Sequence, residues 1–127
     1  MKQSKNTRKA GFTLVEIMIV VAIIGLLAAI AIPNFVKARS TSQANACINN
    51  MRQIDAAVNE WALENKKTTG STAPSLTTDL TPYVKLNSAN AIPSCPAGGS
   101  YTVGAVGAIP QVVCNLGNNV TPGHFEP

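Results

Sequence analysis

Few residues in this chain of 127 are equipped for chemistry: three cysteines (Cys47, Cys95 and Cys114), one histidine (His124) and six carboxylates. Acid–base or nucleophilic catalysis needs a base held beside a second acid or a nucleophile. No carboxylate pair, nucleophile motif or phosphate-cradling glycine loop accompanies His124, so an enzyme is not expected. Zinc sites are usually announced by closely spaced ligand pairs, and Cys95, Cys114 and His124 do not have that spacing. His124 therefore reads as a tail residue, and neither a metal nor a cofactor is expected.

Cross-linking suits the cysteines better. If the chain is exported, three cysteines suggest one disulfide and one thiol left over, with three pairings open. Cys95 and Cys114 flank two short strand-like stretches, and joining them would stabilise the fold by about 3 kcal/mol in the chain-entropy model. Cys47 is then a buried thiol. In the alternative, Cys47 ties its helix to the hairpin and leaves another cysteine free.

The remaining pointed residue is Glu16, because of its surroundings. Residues 12–36 are apolar except for Thr13, Glu16, Gly25, Pro33 and Asn34. As a helix, residues 12–32 would run about 32 Å, close to the ~30 Å of a bilayer's hydrocarbon. Lys2, Lys5, Arg8 and Lys9 precede the span and only Lys37 and Arg39 follow closely, which puts the N-terminus in the cytoplasm. Those four are among ten basic residues, so without them six basic residues face six acidic ones. The net charge of +4 thus belongs to the leader, and no nucleic-acid partner is expected.

A secretory signal peptide, cut after the small-x-small sequence Ala29-Ile30-Ala31, or an uncleaved anchor would account for the apolar run. Neither accounts for Glu16. A carboxylate deep in a membrane costs about 2.5–3.5 kcal/mol on insertion scales, and the span holds no basic partner. Cleavage between Gly11 and Phe12 would create an α-amino group about 6 Å up the helix, and a neighbouring chain shifted along the axis would place its amine better still. Otherwise Glu16 snorkels to the headgroups.

The string Lys9-Ala10-Gly11-Phe12-Thr13-Leu14-Val15-Glu16-Ile17-Met18-Ile19-Val20 resembles the processing site of type IV pilins and type II secretion pseudopilins. The resemblance implies cleavage after Gly11 by a prepilin peptidase and N-methylation of Phe12. It further implies burial of Glu16 against the next subunit's terminus in a helical filament built by inner-membrane assembly machinery. Gly25 and Pro33 also match the family's pattern. Proline removes a helical hydrogen bond and kinks the axis, and glycine is a weak helix former, so the helix can loosen between them. A kinked helix packed closely at Gly25 and Ala29 is the alternative. The chain departs from the calcium-binding pseudopilins, because Asp79 and Glu126 are the only acids in its C-terminal part.

Beyond Pro33 the pattern stays helical but becomes one-sided. Ala44, Cys47, Ile48, Met51, Ile54, Val58, Trp61 and Ala62 recur at steps of three and four, while Arg39, Gln43, Asn50, Gln53 and Glu60 fall on the opposite face. Such a stripe is read as core. A continuous helix over residues 12–67 would run about 84 Å, a stalk rather than a domain element.

Residues 68–75, rich in Thr, Ser and Gly, form a stop and linker, with Lys66 and Lys67 suited to the end of the helix dipole. A short helical turn is expected over residues 78–84 and an extended stretch over 92–94. Strands are expected at 100–103 and 111–114, joined by the glycine- and proline-containing segment 104–110.

The sequence thus predicts an α+β chain in three parts: a basic leader (1–11), a long helix (12–67, membrane-spanning over about 12–36) and a small disulfide-stapled region (68–127). The C-terminal hairpin would pack on the exported half of the helix. The expected function is polymerisation into a type IV pilus or a type II secretion pseudopilus. The subunit would wait in the bacterial inner membrane before joining a periplasmic or surface filament. The alternative is a single-span anchored or secreted small binding domain that does not polymerise.

Overall fold

The computed structural model describes residues 10–117 and 122–124. The basic residues of the leader and Glu126 lie outside them. The chain divides into two compact units that meet between Val36 and Lys37.

One helix, α1 (Leu14–Glu64), contributes to both units. It starts two residues later and stops three residues earlier than the expected 12–67, and each end has a local cause. At the start, the backbone N–H of Glu16 donates to Thr13 Oγ1 (3.2 Å), and the backbone N–H of Thr13 donates to Glu16 Oε2 (3.4 Å). This reciprocal pair is a capping box, in which residues 13 and 16 satisfy donors that the first turn leaves over. At the other end, the N–H of Lys67 donates to the Ala62 carbonyl (2.8 Å) and that of Lys66 to the Leu63 carbonyl (3.3 Å). That is a Schellman closure, and it forces Lys66 into the left-handed region at φ 51°. Lys67 then lies with its Nζ 5.9 Å from the centre of the Trp61 ring.

In the first unit α1 continues unbroken through Gly25 and Pro33. It is long and apolar enough to cross a membrane, with a mean hydropathy of 2.9 over its most apolar 18 residues. None of that window is buried.

In the second unit α1 buries Ala44, Cys47, Met51, Ile54, Ala57, Val58 and Ala62. The stripe expected from the spacing is therefore core, with Ile48 and Trp61 packed at its margins. Leu80, Val84, Cys95, Val112 and Cys114 complete the cluster from the rest of the chain. Two residues of the expected polar face do more than meet water. Asn50 Nδ2 donates to the Ser94 carbonyl and to Tyr101 Oη, each at 3.2 Å, and Gln43 Nε2 donates to the Pro96 carbonyl at 3.4 Å. They pin the returning chain to the helix beside the stripe.

Strands β1 (Tyr101–Val103) and β2 (Val112–Cys114) form an antiparallel pair with Tyr101 opposite Cys114 and Val103 opposite Val112. β2 alternates, so Val112 and Cys114 face the core while Val113 faces outward. A two-stranded ribbon this short is not stable alone and depends on α1 beneath it. The connection is tied down by a two-way exchange: Gly70 N–H to the Val106 carbonyl (2.8 Å) and Val106 N–H to the Ser71 carbonyl (3.1 Å). The expected helical turn over residues 78–84 is instead a pair of successive turns. Asp79 closes the first by accepting the Ser75 N–H at 2.8 Å, and the Val84 N–H bonds the Leu80 carbonyl at 3.1 Å in the second. Residues 92–94 belong to no strand.

Two outcomes follow for urea unfolding of the detergent-solubilised chain, monitored through Trp61, its one tryptophan. Ile54→Ala, at a fully buried position, should lose about 2–5 kcal/mol, while Gln53→Ala on the exposed face should stay within about 0.5 kcal/mol. Lys66→Gly should gain about 1 kcal/mol by relieving the left-handed backbone of a side-chain-bearing residue.

Candidate functional site

Two regions carry functional side chains. The first is the start of α1. Gly11 and Phe12 precede the helix without belonging to it, and Phe12 is 81% exposed. The peptide bond between them is thus exposed and outside the helical hydrogen bonds, where a protease can reach it. Glu16 lies one turn in, held by Thr13 through the capping box, with Thr13 Oγ1 also 3.5 Å from its Oε2. The Thr-x-x-Glu signature of that box is present in the sequence at Thr13 and Glu16. The carboxylate consequently has a role within its own chain, and its charge is spent partly on the first-turn dipole. A Cβ added to Gly25 would meet nothing within 4 Å, so close packing there has no partner among the described residues.

The second region was not foreseen. Cys47, Cys95, Cys114 and His124 converge inside the second unit, all four buried, with one sulfur or ring nitrogen from each lying within 4.8 Å of the others. Each comes from a different element. Cys47 projects from the stripe of α1, and Cys114 is the last residue of β2. His124 is held by its N–H, which donates to the Gly117 carbonyl at 3.0 Å, and its Nδ1 lies 3.4 Å from Cys95 Sγ.

Cys95 begins the turn Cys95-Pro96-Ala97-Gly98-Gly99. The Gly98 N–H closes the turn on the Cys95 carbonyl at 2.9 Å, with Gly98 at φ 87°. Gly99 then passes against Cys114: a Cβ there would stand 2.8 Å from Cys114 Sγ and 2.8 Å from Asn115 Oδ1, so only glycine fits. Burial opposes ionisation of Cys95, yet the N–H groups of Ala97 and Gly99 aimed at its sulfur hold the thiol below its ordinary range. Burial pushes the Cys47 thiol upward, against the pull of the Tyr101 hydroxyl that donates to Cys47 Sγ at 3.5 Å.

All three cysteines are buried free thiols. Cys95 and Cys114, expected as a disulfide, stand here as thiols, and His124, expected as a tail residue, is buried among them. These residues meet through tertiary folding, which no local interval reports.

Comparison with known proteins points first to the start of α1. The family described as the prokaryotic N-terminal methylation motif matches residues 6–32. The chain is 47% identical over 62 residues to the type IV major pilin protein PilA of Myxococcus xanthus, covering 49% of this chain and 28% of that protein. A fimbrial protein of Pseudomonas aeruginosa is 42% identical over 64 residues, covering 50% of this chain and 42% of its own length. The chain thus spans less than half the length of these relatives. The type II secretion system core protein G of Klebsiella michiganensis is 27% identical over 128 residues, covering 94% of this chain and 90% of that protein. No solved structure matches. In its N-terminal methylation motif and the helix that follows it, the chain is similar to the type IV pilins and the type II secretion pseudopilins.

Proposed function

We propose that the chain is a prepilin, a structural subunit without enzymatic activity that polymerises through its apolar helix into a pilus-like or pseudopilus-like filament. The observation that carries this reading is the start of α1. An accessible Gly11–Phe12 bond stands one turn before Glu16, and the apolar helix behind it finds no cover among the described residues. In the bilayer, lipid covers that helix; in a filament, copies of itself do.

A prepilin peptidase cuts after Gly11 and Phe12 is N-methylated, which leaves an amine that stays cationic. Inner-membrane assembly machinery then draws the subunit from the bilayer. Its Glu16 meets the Phe12 amine of a neighbour, and the pairing sets register because a misplaced subunit leaves a charge unpaired in an apolar medium. Gly25 and Pro33 are the points at which the helix yields on packing. Residues 37–127 sit on the exported side and form the filament's outer surface. The alignment with core protein G over nearly the whole chain supports a filament of the secretion type. A bacterium lacking the chain would then lose protein export, whereas loss of long surface fibres alone would mark a pilus.

Glu16 now has two candidate roles, and two substitutions separate them. Glu16→Gln retains the capping box and removes the charge, while Glu16→Ala removes both. If the charge sets register, both variants are processed normally, and filament yield from Glu16→Gln falls by more than about tenfold, because the Phe12 amine is left unpaired. Normal filaments from Glu16→Gln would reduce Glu16 to a helix cap.

The first residue of the protein recovered from membranes checks the processing step. Methylated Phe12 is expected; Ile32 would mean a cleaved signal peptide and Met1 an uncleaved anchor. Either of the latter would favour a tethered or secreted binding domain.

A further inference from the structure

We infer that Cys47, Cys95, Cys114 and His124 form a structural zinc site that clamps the C-terminal region onto α1. The inference concerns the folded second unit and does not depend on the filament reading.

Three sulfurs and an imidazole are a soft donor set of the size that Zn²⁺ takes in closed tetrahedral sites. Bonds of about 2.3 Å to sulfur and about 2.0–2.1 Å to nitrogen put tetrahedral donors about 3.6–3.8 Å apart. The four donor atoms lie within 4.8 Å of one another, and the one sulfur–nitrogen separation resolved, Cys95 Sγ to His124 Nδ1, is 3.4 Å. The donors are thus already gathered to nearly the tetrahedral size.

A disulfide explains less of this arrangement. It needs sulfurs at about 2.05 Å, uses two of the three, and gives the third sulfur and the buried imidazole nothing to do. Zinc uses all four.

The surroundings carry the second argument. Binding Zn²⁺ to three cysteines and a neutral histidine releases three protons and leaves the site with one net negative charge. A buried anion needs a donor, and one is in place. The Tyr101 hydroxyl donates to Cys47 Sγ at 3.5 Å while accepting from Asn50 Nδ2 at 3.2 Å. Outer hydrogen bonds of this kind orient thiolates and spread their charge. Gly99 completes the fit, since any larger residue would push the turn off Cys114. Four protein ligands leave no open position, so the site is structural rather than catalytic.

The test uses the full chain, extracted from membranes in mild detergent without chelator. Zinc measured by mass spectrometry should reach about one equivalent per chain. After reduction and stripping, the protein should take zinc back in competition with a chromophoric chelator, and cobalt should give the thiolate-to-metal charge transfer of a tetrahedral centre. Alkylating reagents should reach the cysteines only after the metal is removed.

Cys47→Ser and His124→Ala should each fall below about a tenth of an equivalent, while His124→Cys, which offers a fourth sulfur, should keep the metal with an altered cobalt spectrum. Should the depleted variants fold poorly, uptake by the unaltered protein and retention in His124→Cys still decide the matter. An unaltered protein that takes up neither zinc nor cobalt overturns the inference, whether its cysteines prove freely alkylated or two are found joined. So does full zinc retention in both Cys47→Ser and His124→Ala.

Discussion

An apolar stripe on a helix exerts its pull only if something is laid over it, and everything in the second unit answers to that requirement on residues 44–62. The covering chain has little regular structure of its own, two strands of three residues each. It cannot build a separate core, so Leu80, Val84, Cys95, Val112 and Cys114 are buried in one cluster with the helix. Hydrogen bonding follows the same geometry. Asn50 and Gln43 sit beside the stripe and hold backbone carbonyls that no strand partner would otherwise satisfy. With so small a core, any strong link between helix and hairpin carries a large share of the stability.

The first unit faces the opposite problem. Its apolar residues point all around the helix and are exposed on every side among the described residues. On the proposed reading, lipid or other copies cover them. In that medium an internally paired backbone is essential, which makes the cap formed by Thr13 and Glu16 more than an ornament at the helix start.

How much of this was legible from the sequence depended on the range of the interaction involved. The stripe of α1 follows from steps of three and four, and the two strands from alternation and flanking turn residues; all of these signals lie within a few positions. Ala57 was missed although it sits three residues after Ile54, because a methyl group barely registers in a hydrophobic pattern. Asn50 and Gln43 were assigned to solvent because a helical wheel cannot know which flank the returning chain will follow. The capping box was visible as Thr13 and Glu16 three apart, and only the competing membrane argument hid it. The convergence of Cys47, Cys95, Cys114 and His124 was beyond any local rule, since it depends on the turn at Gly98 and on the bond that His124 makes to Gly117.

The contacts that close the second unit join distant parts of the chain: Gln43 to Pro96 lies 53 positions apart, and Cys47 to Tyr101 lies 54. Synthesis therefore delivers the helix long before it delivers its cover. For the time needed to make some fifty further residues, Met51, Ile54 and Val58 travel with their apolar faces bare. Long-range closure of this kind is slow, and such an interval is one in which chains stick to each other. On the proposed reading, a subunit that associates through its membrane helix must avoid premature association through its stripe. Anchoring the first unit in a bilayer would serve that end, because it would keep nascent copies dispersed and facing the same way while the rest of each chain arrives.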